Sequence, residues 1–87
     1  GPLGMAHSVL GRWRPALDAF EEALAERRTG TDEQAIEVAR WMVAWALRNL
    51  GRTGEALAAQ RSLKVDLAAA GREDPYVDEE LALLEGR

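Results

Sequence analysis

Glu33 and Glu37 stand four residues apart, the spacing that stacks two carboxylates on one helix face, and such a pair is the least equipment general acid–base catalysis needs. Both follow Asp32 at a helix start, where acids already favour the positive end of the dipole. No nucleophile accompanies them: Ser8 and Ser62 are the only serines, neither sits at a strand-turn-helix elbow, and no glycine-rich phosphate loop is present. His7 is the only histidine and cysteine is absent, so no metal set of three or four ligands assembles at a recognised spacing. The chain therefore reads as a non-enzyme with no cofactor or metal, and its chemistry as contact chemistry. Trp41 and Trp45, one helical turn apart, are its strongest candidates. Each indole can bury roughly 150–250 Å², and tryptophan is enriched where binding energy concentrates.

Composition narrows the partner. Acidic residues number 15 against 11 basic ones, for a formal charge of −4, the opposite of a nucleic-acid footprint. No apolar run approaches the roughly 20 residues of a membrane helix, so the expected partner is a protein or peptide, with no nucleic acid and no membrane. Without cysteine, a reducing cytoplasmic setting is expected. Charge is also uneven. Arg40, Arg48, Arg52, Arg61, Lys64 and Arg72 outnumber Glu55 and Asp66 in the middle, while Glu73, Asp74, Asp78, Glu79, Glu80 and Glu85 crowd the C-terminal end beside Arg87. The opening Gly1-Pro2-Leu3-Gly4 resembles the remnant left when a purification tag is cleaved, so residues 1–4 are set aside and 5–87 read as one domain.

The elements that must position the tryptophans are helices. Pro15 suits a first turn, and Leu17, Phe20 and Leu24 follow at helical spacing until Gly30, predicting a helix over 15–28. Thr31 or Asp32 caps a second over 32–50, closed by Gly51. Thr53 caps a third over 53–70, carrying Leu57, Leu63 and Leu67 to Gly71, and Pro75 opens a fourth over 75–85 with Val77, Leu81 and Leu84. Met5 to Leu10 reads as the last turn of a further helix. No period-two alternation competes, so the fold is all-α, and connections this short pack consecutive helices as antiparallel neighbours.

A repeat runs through these helices. Leu10-Gly11-Arg12 followed by Ala16-Leu17 returns forty residues later as Leu50-Gly51-Arg52 followed by Ala56-Leu57, a period typical of stacked helical arrays. Gly11 in a turn, then Ala16, Phe20 and Ala23 at small-aromatic-small spacing, is similar to the tetratricopeptide repeat. The second copy keeps Gly51 and Ala56 but has Gln60 and Leu63 where the aromatic and second small residue would stand. The long period and Asp74-Pro75-Tyr76-Val77 resemble the kinesin-light-chain type of repeat. The resemblance implies antiparallel helix-turn-helix hairpins stacked as a short right-handed superhelix whose groove binds polypeptide. It does not extend to the family's carboxylate clamp, because Asn49 is the only amide on the corresponding stripe.

Between Ile36 and Leu50 the second helix is apolar on nearly every side, so it must be buried all round or present a sticky face. Val38, Trp41, Trp45 and Asn49 form one stripe, with Met42 and Arg48 beside it; by the family's geometry the stripe faces the groove. The tryptophans are then either core residues or a contact surface. With about three repeats needed for independent stability and two incomplete ones present, a second copy of the chain is an expected occupant alongside an unrelated polypeptide. Arg40, Arg48 and Arg52 would select an acidic flank, and Arg12, Trp13 and Arg14 form a secondary surface unless Trp13 closes the end of the core. Two alternatives stand: an assembly domain of a larger regulator, joined by contacts between the Arg-rich middle and the acidic tail, and, more remotely, a small-ligand groove beside the indoles.

Overall fold

Left-handed glycines mark where four of the helices stop, Gly86 with φ of 73° after the last of them. Gly11, Gly51 and Gly71 take left-handed backbone conformations, with φ of 72°, 79° and 72°, and each closes its helix with the same two hydrogen bonds. The glycine N–H donates to the carbonyl three residues back (Ser8, Arg48, Ala68), and the following arginine N–H donates five back (His7, Leu47, Leu67). This is the Schellman closure, in which a residue without Cβ satisfies two orphan carbonyls. The repeat block Gly-Arg is thus a helix stop at 11–12 and 51–52, and its use at 71–72 falls outside the forty-residue period.

The computed structural model describes residues 2–86 and contains five helices over them: α1 Pro2–Val9, α2 Trp13–Arg27, α3 Glu33–Asn49, α4 Thr53–Ala69 and α5 Pro75–Leu84. The four helices expected from the sequence are present, and the described fold is all-α. The fifth, α1, takes in Leu3 and Gly4 of the stretch that resembles a tag remnant; Gly1 lies outside the described residues. Gly4 is buried so closely against the Phe20 ring that a Cβ there would come within 2.6 Å of it.

Helix starts show what side chains can do at a terminus with free N–H groups. Asp32 caps α3, its Oδ1 accepting from Ala35 N–H at 3.1 Å, and Asp74 caps α5, accepting from Tyr76 N–H at 2.9 Å ahead of Pro75. Two expectations are corrected. Thr53 is the first residue of α4 and not its cap; that place belongs to Arg52, which makes no capping bond and instead grips Glu55 with two hydrogen bonds of 2.5 and 2.9 Å. The hydrogen bond from Arg52 holds the exposed Glu55 carboxyl below its usual pKa. Gly30, expected to end α2 as a glycine, is not left-handed; the turn closes through Thr29 Oγ1 on Glu26 O and Gly30 N–H on Arg27 O.

Connections of three to five residues make each helix pack antiparallel on the one before it, and α3 also touches α5. The result is a slab of 35 × 34 × 18 Å, about two helices thick at usual spacings. One buried cluster joins Ala16, Leu17 and Phe20 of α2 to Ala46 and Leu47 of α3 and Ala56 of α4. A second joins Leu63 and Leu67 of α4 to Val77 and Leu81 of α5, with Trp41 and Leu57 against it. Ala16 and Ala56 have no exposed surface at all, as residues that let helix backbones approach should.

Charge follows the same economy. Arg40 pairs with Asp66, Arg48 with Glu80, Arg61 with Glu85, Lys64 with Asp78, Arg72 with Glu37 and Arg52 with Glu55. Every base of the Arg-rich middle is therefore engaged inside the chain, three of them by acids of the C-terminal segment. The complementarity that the sequence offered between one molecule's middle and another's tail is satisfied within a single molecule.

Candidate functional site

An aromatic row crosses the molecule from α2 to α5. Trp13, the first residue of α2, meets Trp45 of α3 edge-on, with ring centroids 4.8 Å apart at 87°. Trp45 stacks on Trp41 at 5.4 Å and 23°, and Trp41 meets Tyr76 of α5 edge-on at 6.3 Å and 72°. Phe20 lies beneath, 6.3 Å from Trp45. Offset-stacked and edge-to-face contacts of this kind are the favourable ones for rings with a negative face and a positive rim. The row exists because Trp41 and Trp45 are four residues apart on α3, while the antiparallel turns bring the start of α2 to the end of α3, and the start of α5 to its beginning.

At one end the row opens. Val38, Trp41 and Tyr76 line a surface groove of about 290 Å³ whose walls are almost wholly apolar. Val38 is 53 % exposed and Tyr76 68 % exposed, and Trp41 is half-buried between them and the second core cluster. The indole Nε1–H of Trp41 is enclosed and has no hydrogen-bond partner.

The six residues read as a binding face are divided by the structure. Val38 and Trp41 line the groove, and Trp45 adjoins it, packed between Trp13 and Trp41. Met42 is half-buried against the first core cluster, away from the stripe. Arg48 points to α5, where its Nε and Nη2 hold the two oxygens of the buried Glu80 at 2.7 and 2.9 Å. Asn49 is exposed, but its amide is turned back onto the Trp45 carbonyl at 2.9 Å, filling an orphan acceptor at the helix end.

Tyr76 completes the groove and was missed as a site residue. Its signal was present: Asp74-Pro75 fixes a helix start, which aligns the first turn of α5 with the first turns of α3. Trp13 belongs to the aromatic row and is half-buried at the edge of the first cluster, the core-closing role weighed for it, while Arg12 and Arg14 beside it are exposed. Among the repeat-signature residues, Gly11 and Gly51 form the helix stops, Ala16, Phe20 and Ala56 are buried, and Ala23 is half-buried.

The crowding expected of α3 is met from within the chain. Ala39, Ala44, Ala46 and Leu47 are buried, the other apolar side chains are partly covered, and Val38 alone of the helix's apolar residues is exposed. Most of the apolar surface that called for a second chain is thus hidden by α2, α4 and α5. What stays open is the groove.

Among the described residues no group of three or more potential metal ligands gathers, and no helix is long and apolar enough to cross a membrane. Comparison of the chain with protein-family models, with curated proteins and with solved structures gives no match.

Proposed function

We propose that this chain is a protein-interaction module, a short tetratricopeptide-like array that takes an apolar segment of a polypeptide into the groove of Val38, Trp41 and Tyr76. The observation that carries the reading is the groove itself. It is an apolar recess of about 290 Å³, open to the surface and backed by rings already locked against one another. A surface whose aromatic side chains are held in place before binding loses little side-chain entropy on contact, and burying one Leu or Phe side chain there contributes about 1.5–3 kcal/mol.

Selection from a phage-displayed random dodecapeptide library on the immobilised chain tests this. Binders should emerge whose capture falls about tenfold or more with Trp41→Ala or Tyr76→Ala, and not with Glu22→Ala on the exposed side of α2. A selection that enriches nothing, or enriches peptides indifferent to both aromatic changes, contradicts the reading. The second occupant offered by the sequence, another copy of the chain, is separated by sedimentation at several concentrations: self-association abolished by the same two substitutions would place the copy in the groove.

A further inference from the structure

A recess of about 220 Å³ opens between α2 and α4, with α3 packed against both, and it shares no residue with the aromatic groove. Leu24, Val43 and Ala59 give it one apolar side chain from each helix, and Ala59 supplies only a methyl where a longer residue would fill the space. Arg28, Arg40 and Ser62 complete the lining, which contains no carboxylate. Arg40 is a fixed donor: its side chain is 20 % exposed, Nη1 donates to Asp66 at 2.8 Å and Nη2 to Ser62 Oγ at 3.3 Å. Asp66 answers its charge. Ser62 Oγ accepts from Arg40, and its own O–H meets no acceptor among the described residues, so it is free to donate. Arg28, the residue that ends α2, forms no ion pair among the described residues. The one uncompensated charge on the lining is therefore positive, and it shares the recess with apolar surface.

We infer that this recess binds a small monocarboxylate with an apolar body. One free guanidinium matches one negative charge, and its planar fork takes both oxygens of a carboxylate. The Ser62 hydroxyl donates to the same head, while the body covers Leu24, Val43 and Ala59. A bare anion such as phosphate would leave those three side chains without a partner. At about 220 Å³ the recess is smaller than the roughly 300–1,000 Å³ of sites for drug-sized ligands, which limits the body to a single ring or a short branched chain.

Titration of the isotope-labelled chain with sodium phenylacetate at constant ionic strength, followed by amide proton–nitrogen correlation spectra, tests this. Saturable shifts should centre on Leu24, Arg28, Val43, Ala59 and Ser62. Phenylacetamide, which keeps the ring and loses the charge, and acetate, which keeps the charge and loses the ring, should each bind about tenfold more weakly. Inorganic phosphate should bind no better than acetate. Arg28→Gln, at an exposed position, should weaken phenylacetate about tenfold with an unchanged thermal melt, and Ala59→Leu should fill the recess and abolish the shifts. Shifts that do not saturate by about 20 mM, binding that the amide, acetate or phosphate matches, or binding that survives Arg28→Gln would each overturn the assignment. Peptide capture through Trp41 and Tyr76 is a separate readout, so its failure leaves this site standing and the reverse.

Discussion

Gln60 is completely buried in α4, with both its amide oxygen and its amide nitrogen unpaired. Phe20 holds the corresponding position in the first copy of the repeat and fills it with a ring against Trp45. A buried polar group without a partner costs about 1–3 kcal/mol, so Gln60→Met, close in shape and without the amide, should raise stability by about that much. The midpoint of a urea melt measures it, and an unchanged midpoint would show that the amide is satisfied in solution. The alanines carry the opposite sign. Ala16 and Ala56 have no exposed surface, so Ala16→Leu or Ala56→Leu overpacks the first cluster and should cost about 1–3 kcal/mol by the same melt. The alanines were legible in the sequence because the repeat preserves them. Gln60 was visible only as a departure from the aromatic, since whether its amide finds a partner depends on α3 and α5, which lie far from it in the chain.

Helix boundaries divide by whether the signal is local. Gly51, Gly71, the Asp32 cap and the Pro75 start were readable, because a left-handed residue, a capping carboxylate or a first-turn proline acts within one turn. Thr53 and Gly30 misled because their residue types fit a cap and a stop, while Arg52 takes the cap position of α4 and Thr29 bonds back at the end of α2. The two kinds of glycine separate by substitution. At Gly51, with φ of 79°, Gly51→Ala should cost about 1–2 kcal/mol from left-handed strain. Gly54, inside the first turn of α4 with nothing within 4 Å of its missing Cβ, should gain about 0.4–1 kcal/mol as Gly54→Ala. Paired thermal melts check both signs, and equal shifts would mean that the left-handed turn is not what stops α3.

Across the whole molecule the two ends are held differently. Helix α1 rests on α2 and leaves Leu3 and Val9, with Leu10 in the turn after them, more than 60 % exposed. Helix α5 is fixed to two helices at once: Val77 and Leu81 pack with α4, Lys64 and Arg61 reach it from α4, and Glu80 is gripped by Arg48 of α3. None of these pairs could be assigned from the sequence. An excess of bases in the middle and of acids at the end fits contacts within a chain as well as between chains, and only the packing of α5 on both α3 and α4 decides. That arrangement also makes the groove depend on a residue outside it. Glu80 is 4 % exposed while the Arg48 side chain retains 28 %, so after Glu80→Gln the guanidinium can recover water on one side, and the loss should be about 1–3 kcal/mol, short of a fully buried pair. The effect should fall on the seating of α5. Near-ultraviolet circular dichroism, to which the Trp41–Tyr76 contact contributes along with the other rings of the row, should weaken while the far-ultraviolet helix signal stays, and library-selected peptides should bind less tightly without any change to the groove lining. Loss of stability with the aromatic signal and peptide affinity intact would mean that Val77 and Leu81 alone seat α5, leaving the Arg48–Glu80 pair no part in shaping the site.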